Sequence, residues 1–195
     1  MKKIFALLLA LALFMSLAAC GSNDAQDEAA ADPTTEPTTV PTTEPFDMDG
    51  YKNLVSDCIT EIYDSTIILS NIISFECKYL KTYKNIAGAS GKIDVEKVVE
   101  TGIKGLEEYS DYTEEYVKEQ YDKISAMYKE IVLSEADNTE ASEIKTTFKE
   151  MHEAYVAMYN LAFSPGTDMT ALAYSHDEYA GVIKNRKATL EILLS

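Results

Sequence analysis

The chain is 195 residues long and carries 33 acidic against 17 basic side chains, which gives a formal charge of −16 at neutral pH. Nucleic-acid binding through phosphates requires clustered Lys and Arg, and the main cluster is the short run Lys184-Asn185-Arg186-Lys187. The composition therefore argues against a nucleic-acid partner and favours a soluble surface that repels anionic polymers and lipids.

Residues 1–19 have the three parts of a secretory signal. A pair of lysines is followed by the almost wholly apolar stretch 4–17 and then by a pair of alanines. The apolar stretch is too short to cross a bilayer comfortably, and it ends in small residues, as signal peptides do. We therefore predict a signal peptide over residues 1–19 and not a transmembrane helix.

The end of this segment, Leu17-Ala18-Ala19-Cys20, is followed by the small residue Gly21 and has the form of a lipobox. In these positions the chain resembles bacterial lipoprotein precursors. The resemblance implies cleavage before Cys20, attachment of a thioether-linked diacylglyceryl group to its thiol, palmitate among the acyl chains, and a mature protein that is extracytoplasmic and lipid-anchored to the cell membrane. The alternative is an ordinary secretory signal with a chance cysteine at the cut.

Residues 20–46 are predicted to form a disordered stalk rich in Thr, Pro and Glu. Four of the five prolines fall in the stretch 32–45 at a spacing of four residues, and this stretch has no aromatic side chain. It has too little apolar surface to offset the entropy of ordering. Repeated Pro and acidic residues favour an extended chain, so the stretch provides a spacer of about 40 Å.

Residues 47–195 are predicted to form an all-α domain, an elongated antiparallel bundle of about four helices. Apolar residues recur at three- and four-residue steps in every long segment, and the connections between segments are short, which favours antiparallel neighbours. The predicted helices are 48–86, 94–133, 139–163 and 169–194.

The second predicted helix contains two signals for a break. Asp111-Tyr112-Thr113-Glu114 resembles a capping box, which would begin a new helix, while Gly102 and Gly105 weaken helix propensity just before it. One bent helix and two shorter helices both remain open at this point.

Cys58 and Cys77 both lie in the first predicted helix. If that helix is continuous, nineteen residues separate them by about 28 Å along its axis, whereas a disulfide needs Cα atoms within about 7 Å. We therefore favour two separate apolar residues in the core. A bridge requires a helix break between them.

The two histidines do not occur in a metal-binding pattern. His152-Glu153 begins as a zinc-protease motif does, but Val156 stands where the second His must hold the metal. The adjacent residues His176-Asp177-Glu178 point to different faces of a helix and do not converge on one ion. We expect solvated histidines, no metal and no cofactor.

Nucleophilic catalysis has no matching motif either. The chain lacks Gly-x-Ser-x-Gly, and a thiol within an apolar stripe is inert. The acidic pairs Glu107-Glu108 and Glu114-Glu115 are interpreted as a solvated face. We therefore predict no catalytic residue and no enzymatic activity.

Tyrosine is the unusual aromatic residue here, because the chain has 13 Tyr and no Trp. Tyr is enriched at recognition surfaces, where it offers area and a polar tip at low entropic cost. The alternative is a boundary role with the ring half buried and the hydroxyl in water. We select Tyr109, Tyr112 and Tyr116 as the candidate binding surface.

The sequence thus predicts a lipid-anchored extracytoplasmic protein with a non-catalytic role, either recognition or envelope scaffolding. An envelope protein, a peptide or a glycan is the expected partner, besides the membrane itself. A solute-capturing lipoprotein serving a transporter is the alternative, followed by a surface enzyme. The loop Ser164-Pro165-Gly166 and the Tyr-bearing last helix resemble helical lipoproteins of Gram-positive gut bacteria, and this resemblance implies no particular activity.

Overall fold

The computed structural model describes residues 46–87, 92–134 and 138–195. The predicted signal peptide, Cys20 and almost all of the predicted stalk lie outside the described residues. The described part contains five helices, which confirms the all-α prediction and corrects the expected number of about four. The helices are α1 (Met48–Ala87), α2 (Val95–Tyr109), α3 (Glu114–Leu133), α4 (Thr139–Phe163) and α5 (Met169–Leu193).

The fifth helix arises because the second predicted helix is divided. Ser110 has an extended backbone (φ −150°, ψ 171°) and ends α2. Thr113 is also extended, and its hydroxyl accepts a hydrogen bond from the Tyr116 amide at 3.2 Å, so Thr113 caps α3. The sequence predicted a capping box that begins at Asp111, so the predicted cap lies two residues before the observed one. The capping group is the side chain whose oxygen can reach an unpaired amide of the first turn.

The other helix starts follow the same rule. The side chains of Asp94, Asn138 and Asp168 each accept a hydrogen bond from a backbone amide in the first turn of the helix that follows. Gly166, between α4 and α5, has a φ of 70°, which glycine adopts without steric cost. These local signals explain why the predicted and observed boundaries of α4 coincide.

Helix α1 is central, because it packs against each of the other four helices. Helices α2 and α3 run antiparallel to it, one after the other. The Glu61 carboxylate of α1 pairs with Lys123 of α3 at 2.8 Å, while Phe75, further along α1, lies against Gly105 of α2. The divided second helix therefore covers one side of α1.

Helices α4 and α5 form an antiparallel pair and have the most extensive mutual contact of any two helices. Arg186 of α5 pairs with Glu150 of α4 at 2.6 Å. Helix α4 runs parallel to α1, as shown by the Lys52–Glu140 ion pair at 2.6 Å near the starts of both helices.

Most of the apolar residues that recur along the predicted helices are buried in the core. In α4 the apolar residues that recur at three- and four-residue steps are all buried: Ile144, Phe148, Met151, Tyr155, Met158 and Ala162. In α2 Val98, Ile103 and Leu106 are buried, while Val95 and Tyr109 are exposed. Two glycines of α2 face α1, so this packing face combines large aliphatic residues with positions that have no side chain.

Helix α1 is continuous between Cys58 and Cys77, and both thiols are free. The prediction of two separate cysteines is confirmed. Cys58 is buried and Cys77 half-buried. None of the helices in the described part of the chain is long and apolar enough to cross a membrane.

Candidate functional site

Tyr112 and Tyr116 stand side by side at the start of α3. Their rings are stacked, with centroids 4.9 Å apart and an interplanar angle of 27°. Tyr112 is 39% exposed, and Tyr116 is half-buried. Tyr116 lies in the first turn of α3, which Thr113 caps, and Tyr112 directly precedes the cap, so the pair is held by local structure as well as by packing.

These two tyrosines form one wall of a cleft of about 430 Å³ between α1 and α3, which we call the tyrosine cleft. The opposite wall is the α1 segment that includes Glu61, Asp64, Ile67 and Asn71. Ile67 is 51% exposed. Stacked rings, an open aliphatic side chain and two carboxylates therefore face one space, which suits binding of a ligand that has both apolar and polar parts.

The floor of the tyrosine cleft is tied to the core. Ser65 lines the cleft, and its hydroxyl shares a buried hydrogen bond with the Tyr155 hydroxyl at 3.0 Å. Burial raises the pKa of Tyr155. This bond joins α1 to α4, so the part of α1 that lines the cleft is held to the core.

Tyr109 does not belong to the tyrosine cleft. It is 75% exposed and stacks on Phe75 of α1, with ring centroids 5.4 Å apart. It lines a second cleft of about 390 Å³ between α1 and α2, the Phe75 cleft, together with Lys78, Tyr79 and Lys104. The structure thus brings two of the three predicted binding residues together and places the third in a neighbouring cleft.

Most other tyrosines occupy the half-buried positions that the alternative interpretation expects. Tyr121 stacks on Tyr159 at 4.0 Å and lies 6.1 Å from the Tyr155 ring, so these aromatic rings join α3 to α4. Tyr174, on α5, is 71% exposed. It lines neither of the two clefts described above.

The expectation of a solvated His152 is wrong. His152 is only 8% exposed, and its ring stacks on Tyr128 of α3 with centroids 3.7 Å apart. Burial lowers the pKa of His152 to about 4, and its Nε2 atom has no hydrogen-bond partner among the described residues. Sequence spacing did not reveal that α3 covers this face of α4.

His176 is also more enclosed than expected. It is half-buried, with its Nδ1 atom 2.9 Å from Asp177 Oδ1 and its Nε2 atom 3.1 Å from Ser70 Oγ. The Ser70 contact joins α5 to α1. The His176 side chain therefore helps to hold α5 against α1.

Glu76 is a buried acidic residue that the sequence analysis did not identify. It is fully buried between α1 and α2, and burial raises the pKa of its carboxyl to about 9. The sequence did contain a signal, because Ile72, Glu76 and Leu80 follow one another at four-residue steps on the apolar stripe. A carboxyl in that series must be buried and protonated, or paired.

Among the residues that the structure describes, the buried titratable groups lie in separate parts of the core. Glu76 lies between α1 and α2, whereas His152 lies between α4 and α3. Burial raises the pKa of Cys58 to about 12 and also raises that of Cys77. Such thiols are poor nucleophiles. In the ranges that the structure describes, no three His, Cys, Asp or Glu side chains are close enough together to hold a metal ion.

The surface beside the tyrosine cleft is acidic. Glu107, Glu115 and Glu119 are exposed and Glu114 is half-buried along the end of α2 and the start of α3, where Lys118 is the interspersed cation. Lys118 pairs with Glu114 at 2.5 Å. The exposed carboxylates therefore leave a negative potential close to Tyr112 and Tyr116.

Comparisons with protein-family models, with curated proteins and with solved structures give no match for this chain. The function must therefore be argued from the two clefts and their charges.

Proposed function

We propose that the protein is a lipid-anchored extracytoplasmic recognition protein and that the tyrosine cleft is its binding surface. The observation that carries the proposal is the stacked pair Tyr112–Tyr116 facing the exposed Ile67 across an open space. Surface apolar groups that share one concave site favour a ligand-binding role over a purely structural one.

The membrane anchor is supported by the lipobox Leu17-Ala18-Ala19-Cys20 at the end of a signal-like segment. Two acyl chains on Cys20 give stable attachment, since each buried methylene contributes about 0.8 kcal/mol. The Thr/Pro/Glu-rich segment that follows is suited to holding the helical domain away from the membrane. A recognition domain in that position meets envelope proteins, peptides and glycans.

Binding in the tyrosine cleft requires no chemical step. Tyr rings offer stacking area with few rotatable bonds, and the nearby side chains of Asn71 and Gln120 provide hydrogen-bond donors and acceptors. Both a peptide and a sugar ring have surfaces that suit such a cleft. We therefore propose recognition and not catalysis.

The binding role is tested by replacing Tyr112 with Ala in the full chain and measuring capture of envelope extracts and binding to glycan arrays. We expect saturable binding to one ligand class by the native chain and at least a tenfold loss in the variant. Tyr63→Ala is the matched control, because Tyr63 is 37% exposed and does not line the tyrosine cleft. Equal binding by native and Tyr112→Ala chains would leave scaffolding as the better hypothesis.

The anchor is tested separately by mass spectrometry of protein isolated from its native host. We expect an acylated N-terminal Cys20, and a Cys20→Ser variant released from the membrane fraction. An intact N terminus beginning at Met1 without acyl chains would contradict the proposed anchor.

A further inference from the structure

The tyrosine cleft and the Phe75 cleft lie on the same face of α1. Six of the ten residues that α1 contributes to the two clefts follow one another at steps of three and four, which is the spacing of one helix face. These residues are Asp64, Ile68, Asn71, Phe75, Lys78 and Thr82. From first to last they cover about 27 Å at 1.5 Å per residue.

The two clefts lie on either side of the break between α2 and α3. Asn71 is the last α1 residue of the tyrosine cleft, and Phe75, one turn later, is the first of the Phe75 cleft. On the opposite side, Tyr109 ends α2 and Tyr112 precedes α3. The break thus places an exposed tyrosine in each cleft beside a continuous stripe of α1.

The charges of the tyrosine cleft favour a cation. Asp64 is exposed and forms no ion pair with any residue that the structure describes. Its neighbour Glu61 is already paired with Lys123 at 2.8 Å, so Asp64 is the carboxylate of this wall that is left for a ligand cation. A cation over the face of a Tyr ring is attracted by the ring itself. Lys187 occupies such a position over Tyr63 at 5.3 Å.

The Phe75 cleft has a different character. Its central surface is aromatic, formed by Phe75, Tyr79 and Tyr109, and its charged lining residues are two lysines and one carboxylate, Lys78, Lys104 and Glu108. Lys104 is already paired with Glu100 at 2.6 Å. This half of the face therefore favours an apolar side chain, which stacks on the rings, over a second cation.

We infer that the two clefts are halves of one groove that binds an extended polypeptide segment of a partner protein. A Lys or Arg side chain occupies the tyrosine cleft, and a hydrophobic side chain of the same segment lies on Phe75 and Tyr109. This inference rests on the proposed recognition function and names its ligand class. A neutral glycan stacks on the rings and donates hydroxyl hydrogen bonds to the carboxylates but brings no positive charge to pair with Asp64, and an anionic ligand is repelled by a chain of charge −16.

The geometry also sets the spacing of the two side chains in the ligand. Asp64, which faces the basic side chain, and Phe75, which faces the hydrophobic one, are eleven residues apart, or about 16 Å along the helix axis. An extended chain covers that distance in about five residues at 3.3 Å each. The basic and the hydrophobic residue are thus expected about five positions apart.

The test uses the full chain and fluorescein-labelled peptides with a Gly/Ser background. One peptide carries Lys and Phe five positions apart, and three others carry Glu in place of Lys, Ala in place of Phe, or Lys and Phe only two positions apart. Fluorescence anisotropy measures binding. We expect the first peptide to bind about tenfold more tightly than the other three, with weaker binding at high salt.

Variants of the protein show which side chain of the peptide binds in which half of the groove. Tyr112→Ala weakens binding of every Lys-containing peptide, whereas Tyr109→Ala weakens binding of the five-position Lys/Phe peptide and leaves the Lys/Ala peptide unchanged. The matched controls are Tyr63→Ala for Tyr112 and Tyr174→Ala for Tyr109, because each control tyrosine has similar exposure and lies in neither cleft. Both controls are expected to bind as the native chain does.

Two results would overturn the groove. One is equal binding of the Lys and Glu peptides, and the other is a Tyr109→Ala chain that binds the Lys/Phe peptide normally. If a glycan or envelope component is captured in a Tyr112-dependent way while the peptides do not bind, the recognition function stands and the peptide groove is wrong. If no binding depends on Tyr112, both are wrong.

Discussion

The carboxyl group of Glu76 on α1 lies directly against Gly102 on α2. A Cβ atom at position 102 would come within 2.7 Å of the Glu76 Cγ atom. Glu76 is fully buried, and neither of its carboxyl oxygens has a hydrogen-bond partner among the described residues. Since an ionised carboxylate is costly to bury, the pKa of Glu76 rises to about 9. The close approach of α2 thus keeps this acid neutral.

Stability should therefore fall as pH rises, through Glu76. Its pKa is about 9 in the folded chain and near the ordinary value of 4.5 when unfolded, so the folded state binds more protons between these values. Below pH 4.5 the Glu76 carboxyl makes its full contribution to the free energy of unfolding. As the pH rises toward 9, that contribution falls by about 1.4 kcal/mol per pH unit. We expect Glu76→Gln to remove this dependence in urea unfolding at pH 5, 7 and 8.5.

Glu108→Gln is the control for this experiment, because Glu108 is exposed on the same helix pair. It should keep the pH dependence of the native chain. An equally steep dependence in Glu76→Gln would show that another group is responsible.

Gly105→Ala should destabilise the contact between α1 and α2. A Cβ atom there would lie 2.4 Å from Cγ of the Phe75 ring, so the ring or the helix must move, at a cost of about 1–3 kcal/mol. Gly181→Ala is the matched control, because it lies within α5 with nothing within 4 Å of the added Cβ. It should gain about 0.5–1 kcal/mol from helix propensity. A lower melting temperature for Gly105→Ala and a higher one for Gly181→Ala would confirm this difference. Equal shifts in melting temperature would contradict it.

Tyr155→Phe should cost about 1 kcal/mol of unfolding free energy, because it removes the partner of the buried Ser65 hydroxyl. Ser65→Ala should have a similar cost. The double variant should lose less than the sum, since each single change removes the same bond. Chemical denaturation of all four chains measures this coupling. Strict additivity would mean that the hydrogen bond contributes nothing to stability.

Thr113→Ala should destabilise the chain by about 1 kcal/mol by removing the cap of α3. The same substitution at Asp111, which lies outside both helices, should have a much smaller effect. Circular dichroism during thermal unfolding compares the two variants. A larger loss at Asp111 would restore the capping box that the sequence suggested.

The positions of the helices followed from local patterns. The spacing of apolar residues and the capping side chains act within a few residues, so α4 was predicted with its observed ends, and the continuity of α1 between Cys58 and Cys77 was predicted from its unbroken stripe. The break at Ser110 was signalled but not decided. The choice between one bent helix and two helices depends on how α2 and α3 pack along α1.

The tertiary structure alone decided which faces meet. His152 was expected in water because its own helix shows no reason to bury it, yet α3 places Tyr128 over its ring. Glu76 became a neutral buried acid because the glycines of α2 let that helix approach closely. In the same way, Tyr112 and Tyr116 were brought to one cleft and Tyr109 to the next. Burial and pKa depend on neighbours distant in the chain, whereas helix formation depends mainly on neighbours a few residues away.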